Sequence, residues 1–185
     1  MKKHARSLVR VIEDNFGREV NLHGVEVGVW KGELSSDLLS HFPNLQLIMV
    51  DLWRAEDDRG SMHAKDSSQE AMDDAWHSAA FNAQKFVGRT EMHKGSSVDV
   101  AEKFPNQTFD FVFLDADHYY ESVRDDILAW WTKIKQHGIV AGHDYDGMGD
   151  RRKGWGVKRA VDEFFGTIGL EVNVEHGLVW WVKKW

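Results

Sequence analysis

The chain has 185 residues, a formal net charge of −7 and no cysteine. This length suits one domain with a sizeable core, and the missing thiols exclude disulfides, thiolate metal sites and cysteine nucleophiles. The acidic charge makes nucleic acid a poor default partner. No apolar run approaches the ~18 residues of a membrane span and no export signal is readable, so we expect a cytoplasmic protein without a membrane partner.

The spacing of apolar residues predicts helices alternating with strands along one domain, 1–185. In the first half of the chain, the predicted elements are an N-terminal helix at 3–15 within the region 1–20, a strand at 25–29, a helix at 33–41, a strand at 45–52, a loop at 54–66, a helix at 67–86 and a strand at 89–93. In the second half, they are a helix at 97–103, a strand at 109–114, a helix at 120–135, a strand at 139–141, a loop at 144–156, a helix at 157–165 and strands at 170–174 and 178–182. Such alternation is typical of an α/β protein with a parallel sheet, and the closing pair of strands indicates one antiparallel strand at its end.

A glycine loop joins the first predicted strand to the next helix. Its notable residues are Glu26, Gly28, Val29, Trp30 and Gly32. Glycines let the backbone approach a ligand at a helix N-terminus. Trp30 replaces the middle glycine of the dinucleotide fingerprint, and Glu33 would repel a diphosphate. The loop therefore favours a positively charged ligand without phosphate, and S-adenosylmethionine meets both conditions, with Glu26 near its ammonium group.

The second predicted strand ends in an acid. Asp51 lies near the spacing of about 20 residues expected for a carboxylate that binds ribose hydroxyls. Leu52 and Trp53 follow directly. We expect all three at the cofactor, with the Trp53 ring stacked on adenine.

Acids and histidines follow two further strands. The strand at 109–114 leads to Asp115, Asp117 and His118, and the next strand leads to His143 and Asp144. Ligands of open α/β sheets bind at the carboxyl ends of strands, so these side chains are expected in one crevice. Carboxylates with at most one imidazole suit Mg²⁺ or another hard or borderline divalent metal. A histidine acting as general base without metal is the alternative.

With these motifs, the chain resembles the class I S-adenosylmethionine-dependent methyltransferases, in particular a small bacterial subgroup related to metal-dependent O-methyltransferases. The resemblance extends from about residue 25 to residue 185. It is carried by the E-x-G-x-x-x-G loop, by Asp51, by Lys94-Gly95-Ser96-Ser97, by Asp115-Ala116-Asp117-His118 with Tyr120, and by His143-Asp144-Tyr145.

The resemblance implies a Rossmann-like three-layer sandwich whose seven-stranded, mostly parallel sheet has one antiparallel terminal strand. It implies that Gly95, Ser96 and Ser97 contact adenine. Asp115 matches the first metal ligand of the relatives and also faces the cofactor, and His143 and Asp144 occupy the positions of their acidic pair. His143 stands where those relatives usually carry Asp or Glu. The predicted catalytic residues are Asp115, His118 and His143.

The function that these features favour is methyl transfer from S-adenosylmethionine (EC 2.1.1.-) to the hydroxyl of a small molecule such as a sugar or natural product. The loops at 54–66 and 144–156 are expected on the acceptor side. Two alternative hypotheses for the function stay open: an NAD(P)-dependent Rossmann oxidoreductase and a non-catalytic nucleoside-binding module. The nine tryptophans indicate an exposed apolar patch and a homodimer.

Overall fold

The structure is a computed structural model that describes residues 1–55, 68–176 and 178–185. Its strands are β1 Leu22–Val27, β2 Leu45–Asp51, β3 Thr90–Lys94, β4 Phe109–Leu114, β5 Ile134–Gly142, β6 Asn173–Glu175 and β7 Val179–Lys183. Its helices are α1 Lys3–Phe16, α2 Glu33–His41, α3 Gln69–Ala83, α4 Ser97–Ala101, α5 Tyr120–Trp131, α6 Gly147–Lys153 and α7 Val157–Thr167. A 3₁₀ turn, Gln84–Phe86, follows α3. None of the helices in the described ranges has the length and apolar character needed to cross a bilayer.

The described strands form one seven-stranded sheet in the order β3-β2-β1-β4-β5-β7-β6. Strands β1 to β5 pair in parallel, whereas β7 runs antiparallel to both of its neighbours, β5 and β6. The mostly parallel sheet with a reversed last strand is thereby confirmed. The chain order of the strands reverses direction between β1 and β4, and a crevice for ligands opens at such a switch point.

Helices cover both faces of the sheet, which confirms the three-layer sandwich. One apolar cluster joins α1, α2 and α3 to the sheet, with Ile12, Leu38 and Ala79 fully buried. A second cluster joins α4, α5 and α7 to the opposite face, with Ile127 and Val161 fully buried. In the longer helices α1, α2, α3, α5 and α7, buried residues recur three or four positions apart, so each of these helices presents one apolar stripe to the sheet.

The N-terminal helix packs against α2 and the reversed strand. The Ser7 hydroxyl donates to the carbonyl of His176, and Lys183 Nζ lies 3.2 Å from Asn15 Oδ1. These contacts place the first residues of α1 beside the carboxyl ends of the strands.

The predicted helix at 120–135 is wrong in its last turn, because α5 ends at Trp131 and β5 already begins at Ile134. The backbone N–H of Phe109 donates to the carbonyl of Lys133, and Ile134 pairs with Phe109. Apolar residues at helical spacing therefore continue into a strand, because sheet pairing outweighs the local pattern.

Other predicted boundaries also move. The first strand begins earlier, at Leu22, and ends at Val27, before the glycine loop. The predicted loop at 144–156 contains the short helix α6. Strand β6 covers Asn173–Glu175 rather than 170–174. Residues 56–66 of the other predicted acceptor-side loop, Ser67 at the start of the predicted third helix and Gly177 in the closing turn lie outside the described residues.

Candidate functional site

A cleft of about 1160 Å³ opens at the carboxyl ends of the central strands. Backbone hydrogen bonds hold these ends side by side: Gly28 N donates to Val50 O at 2.9 Å, and Asp115 N donates to Val27 O at 2.8 Å. Most of the predicted site residues line this cleft, namely Glu26, Gly28, Val29, Trp30, Asp51, Leu52, Trp53, Gly95, Ser96, Ser97, Asp115, His118, His143 and Asp144. Gly32 is the predicted site residue that does not line the cleft.

The two glycines of the loop have structural reasons to lack a side chain. Gly28 has φ +91°, and a Cβ there would lie 2.2 Å from the carbonyl oxygen of Asp115. Gly32 has φ +73° and directly precedes α2. A Cβ at this position would lie only 3.1 Å from the Cα of Ala79. Glycine at position 28 thus lets the loop pass close to the strand end that carries Asp115.

Asp51 fixes the glycine loop. One of its carboxylate oxygens accepts a hydrogen bond from Trp30 N at 2.8 Å, and the other accepts from Trp53 N at 2.9 Å. Trp30 has a left-handed backbone with φ +51°, and bonds at both ends of the residue stabilise this strained conformation. The ribose contact of Asp51 stays a prediction. The sequence did not indicate its loop-fixing role.

The stacking of the Trp53 ring on adenine stays a prediction, and the burial of the ring argues against it. The side chain is fully buried in the core beneath the cleft, and its indole N–H donates to Trp30 O at 2.9 Å. An adenine ring needs an accessible aromatic face, and Trp53 presents none. Trp53 supports the glycine loop from below.

Glu26 places a deeply buried carboxyl group at the floor of the cleft. It is 1% exposed and accepts a hydrogen bond from the Ser35 hydroxyl on α2. Burial raises the pKa of Glu26 to about 8, partly offset by the Ser35 hydrogen bond. A cationic ligand beside Glu26 would stabilise its ionised form.

We expect the substitution Glu26→Gln to make stability less sensitive to alkaline pH. The folded pKa of Glu26 lies above its unfolded value, so folding favours the protonated form, and stability falls as pH rises from about 4.5 to about 8. The free energy of unfolding of the variant should exceed that of the parent by a few kcal/mol at pH 8 and by little at pH 5. Urea unfolding at several pH values measures the difference.

The control for this prediction is Glu33→Gln. Glu33 is exposed and pairs with Lys2 at 2.7 Å, and that partner lowers its pKa. Its variant should show no such gain. Parallel pH profiles for Glu26→Gln and the parent protein would contradict a buried, protonated Glu26.

The predicted acids and histidines do converge. His118 Nε2 lies 2.7 Å from Asp144 Oδ2 and 3.9 Å from Asp115 Oδ1. His143 Nδ1 lies 3.1 Å from Asp144 Oδ2 and 3.6 Å from Asp115 Oδ1. Each carboxylate therefore faces both imidazoles at the ends of β4 and β5. Asp144 has φ +56°, a conformation that only a few residue types tolerate.

This arrangement shifts the charges of the cluster. Burial by itself lowers the pKa of His143, but hydrogen bonds and charges from Asp115 and Asp144 raise it to about 10. For Asp144, burial acts to raise the pKa, and the hydrogen bonds from His118 and His143 hold it well below its usual range. At neutral pH, His143 is an imidazolium between two carboxylates, so it supplies positive charge and is not a free base.

The predicted metal ligands Asp115, His143 and Asp144 lie close together, and His118 joins them. Among the described residues, ligand atoms of Asp115, His118 and Asp144 all lie within 4.8 Å of one another. His118 is thus a candidate ligand beside the predicted His143, and the metal site stays a prediction. Two carboxylates and one imidazole fit a hard or borderline divalent cation.

Two aromatic side chains lie beside this cluster, and sequence reasoning missed the first of them, His4. The ring of His4, on α1, lies 4.8 Å from that of His143. The ring of Trp155, between α6 and α7, lies 4.6 Å from that of His118. Both line the cleft. Trp155 belongs to the loop 144–156 that was expected on the acceptor side, whereas no local pattern marks His4, which reaches the site through the packing of α1.

Comparison with protein families matches residues 25–145 to the family described as "Methyltransferase domain". The match covers more than half of the chain, and the chain belongs to this family. Its fold and glycine loop are those of the class I S-adenosylmethionine-dependent methyltransferases. No curated protein sequence matches it significantly.

Solved structures of similar fold include three methyltransferases by description. A Staphylococcus aureus protein, provisionally described as a caffeoyl-CoA O-methyltransferase, has a TM-score of 0.65 at 14% identity, over 95% of this chain and 80% of that one. A SAM-dependent methyltransferase from Aquifex aeolicus has a TM-score of 0.59 at 16% identity, over 97% and 89%. A Clostridium thermocellum protein, provisionally described as an rRNA methylase, has a TM-score of 0.66 at 13% identity, over 100% and 98%. At such identities the likeness establishes the fold alone.

Proposed function

We propose that the protein transfers the methyl group of S-adenosylmethionine to a hydroxyl oxygen of a small molecule, such as a sugar or a natural product. One observation carries the proposal: Asp115, His118, His143 and Asp144 converge on the same cleft as the glycine loop. A site with several hydrogen-bond acceptors suits an acceptor that must lose a proton. The net charge of −7 argues against an RNA acceptor, since RNA binding needs positive charge.

In this reaction, the acceptor oxygen attacks the methyl carbon, the carbon–sulfur bond breaks, and its electron pair stays on sulfur to give S-adenosylhomocysteine. The hydroxyl proton leaves to a base. The glycine loop and Asp51 align the cofactor, and alignment is the main catalytic contribution in such a displacement. Asp115 and Asp144 lie where they can orient the acceptor hydroxyl. His118, which lies 2.7 Å from Asp144 in this cluster, is the proposed proton acceptor.

The residues at the ends of β4 and β5 also fit a divalent metal ion. Asp115, His118 and Asp144 would hold it. A bound Mg²⁺ or Mn²⁺ would lower the pKa of the acceptor hydroxyl. The imidazolium of His143 supplies positive charge to the same place, which keeps methyl transfer without metal as the second form of the proposal.

Calorimetric titration with S-adenosylmethionine, S-adenosylhomocysteine and NAD⁺ tests the cofactor. We expect micromolar binding of the first two and none of NAD⁺, because Trp30 replaces a glycine of the dinucleotide loop. Binding of NAD⁺ alone would favour the oxidoreductase. Binding of S-adenosylhomocysteine without turnover on any acceptor would favour a nucleoside-binding module.

Radiolabelled methyl transfer to panels of sugars, phenols and polyketide-like alcohols tests the acceptor, with an RNA fragment included. Label recovered in a small-molecule ether supports the proposal, and label found in RNA contradicts it. Mn²⁺ binding to chelator-treated protein, followed by electron paramagnetic resonance, tests the metal independently of activity. An Asp115→Ala variant serves as its control and should lose the bound Mn²⁺ signal.

A further inference from the structure

A second, much smaller cavity adjoins the acid–histidine cluster, and no step of the proposed methyl transfer uses it. About 10 Å³ of this cavity is open to the centre of a water molecule, which is room for one water. Its wall is shared by the ends of β4 and β5, by helices α5 and α7 and by the reversed strand β7. Asp115, His118 and His143 line both this cavity and the cleft. A molecule bound in the cavity would therefore lie against the cluster.

Trp180, on β7, brings an unpaired hydrogen-bond donor to this cavity. The residue is 1% exposed and lines the cavity. In the part of the chain that the structure describes, its indole Nε1 has no hydrogen-bond partner. A buried N–H without an acceptor is costly, and proteins pair nearly all such groups, in some cases with ordered water. The indole of Trp180 therefore indicates a bound acceptor that is not part of the chain.

Close packing against the end of β5 holds the indole ring in this position. Trp180 and Gly142 are partners in the antiparallel ladder of β5 and β7, and a Cβ on residue 142 would lie 2.6 Å from Trp180 Nε1. A side chain at position 142 would thus displace the ring. His143 follows directly and lines the same cavity. The unpaired N–H therefore lies beside the strand end that carries the cluster.

The same cavity also offers hydrogen-bond acceptors. Three acids line it, namely Asp115, Asp117 and Asp126. Asp117 is held in place, because its carboxylate accepts from Ser122 Oγ at 2.6 Å and from the backbone N–H of His118 at 2.7 Å. A carboxylate oxygen can accept a second hydrogen bond. A ligand in this cavity must therefore accept from an N–H and donate to oxygen.

Water is the small ligand that meets both requirements. An anion would accept from the indole but would face the acids, which repel it. A metal cation would suit the acids but would face the N–H of Trp180. Water accepts and donates hydrogen bonds, carries no charge and fits the available volume.

We propose that one ordered water molecule occupies this cavity, accepts a hydrogen bond from Trp180 Nε1 and donates to the acids at the end of β4, so that Trp180 is a positioning residue for Asp115. Through the water, the reversed strand holds the carboxylate that faces His118 and His143 at 3.9 and 3.6 Å. The positioning role rests on the proposed function, whereas the water site does not.

A high-resolution crystal structure of the parent protein tests the water site. We expect one water about 2.9 Å from Trp180 Nε1, with a further hydrogen bond to Asp115 or Asp117. An empty cavity in a well-ordered interior overturns the site. A direct bond from Nε1 to a protein atom, or density with the coordination of a metal or halide ion, overturns it as well.

Replacement of Trp180 alone by 3-benzothienylalanine tests the positioning role. This analogue keeps the shape of the indole and carries sulfur in place of the N–H, so the fold should persist, which thermal unfolding verifies. The kcat of methyl transfer should fall by about tenfold or more, the usual effect of removing an outer hydrogen bond that orients a functional group. The affinity for S-adenosylhomocysteine should stay close to that of the parent, because the change lies away from the glycine loop.

The same replacement at Trp181 is the matched control. Trp181 is the next residue of β7, packs against the apolar cluster on the opposite face of the sheet, and lines neither the cavity nor the cleft. Its Nε1 is also unpaired among the described residues, yet its analogue should keep the parent kcat. An unchanged kcat at position 180, or equal losses at both positions, overturns the positioning role. If the parent transfers no methyl group to any acceptor, that role fails with the proposed function, and the crystal structure still decides the water site.

Discussion

Gly28→Ala is expected to abolish measurable binding of S-adenosylmethionine and to destabilise the protein. The new Cβ would lie 2.2 Å from the carbonyl oxygen of Asp115 and 2.6 Å from Ala116 N, both of them backbone atoms that cannot rotate away. The left-handed conformation adds strain for any residue with a side chain. Together these effects should cost about 2–4 kcal/mol and lower the melting temperature by roughly 5–15 °C.

The loss of binding follows from the same displacement. Relieving the clash moves either the glycine loop or the end of β4. A shift of about 1 Å in the residues that position the cofactor should lower the affinity for it by about 100-fold. Calorimetry with S-adenosylhomocysteine gives the affinity, and thermal unfolding gives the stability.

Gly88→Ala separates conformational strain from the clash. Gly88 has φ +79°, but a Cβ there meets nothing within 4 Å. This variant should lose about 1 kcal/mol of stability and keep its affinity for the cofactor. If Gly28→Ala behaved like Gly88→Ala, the close approach of the loop to Asp115 would have no functional meaning.

Asp144→Asn should lower methyl transfer by about 100-fold or more, with the affinity for S-adenosylmethionine changed by less than about threefold. Asp144 accepts from both imidazoles, at 2.7 Å from His118 and 3.1 Å from His143. The substitution removes the charge that orients these groups and one candidate metal ligand. Asparagine tolerates the left-handed backbone of position 144 well, so the variant isolates the effect of charge.

A readout that needs no acceptor accompanies this prediction. Asp144 and Asp115 raise the pKa of His143 to about 10, so removing one carboxylate should bring the pKa of His143 down, as measured by nuclear magnetic resonance titration of the imidazole. Asp162→Asn is the control, since Asp162, on α7, pairs with Lys158 of the same helix and with Tyr145, which lies between β5 and α6. Unchanged activity and an unchanged His143 titration in Asp144→Asn would remove the cluster from the mechanism.

The sequence correctly indicated the parallel sheet and the acids at its strand ends. Strands β2 and β4 are short, nearly continuous apolar runs, which is the pattern of strands buried on both faces. Each apolar run leads to an acid, Asp51 or Asp115. Parallel strands carry their carboxyl ends to one edge of the sheet, so the direction of the strands assigns residues far apart in the chain to one cleft.

Local pattern failed where two structures fit the same residues. Ile134 continues the helical spacing of α5 and also pairs with Phe109 as the first residue of β5. The choice between them depends on a partner strand that lies elsewhere in the sequence. The orientation of Trp53 could not be read from the sequence for a related reason: an aromatic residue beside a strand end can face a ligand or the core, and here its side chain packs in the core.

Three features can therefore be predicted from the sequence: the class of fold, the succession of helices and strands along the chain, and the chemical types gathered at the cleft. They depend on periodicity and on the direction of parallel strands. How those groups are used depends on tertiary packing. Packing holds His143 between two carboxylates and brings His4 and Trp155 against the histidines. These are contacts between separate segments, and burial sets their energies, which no local pattern records.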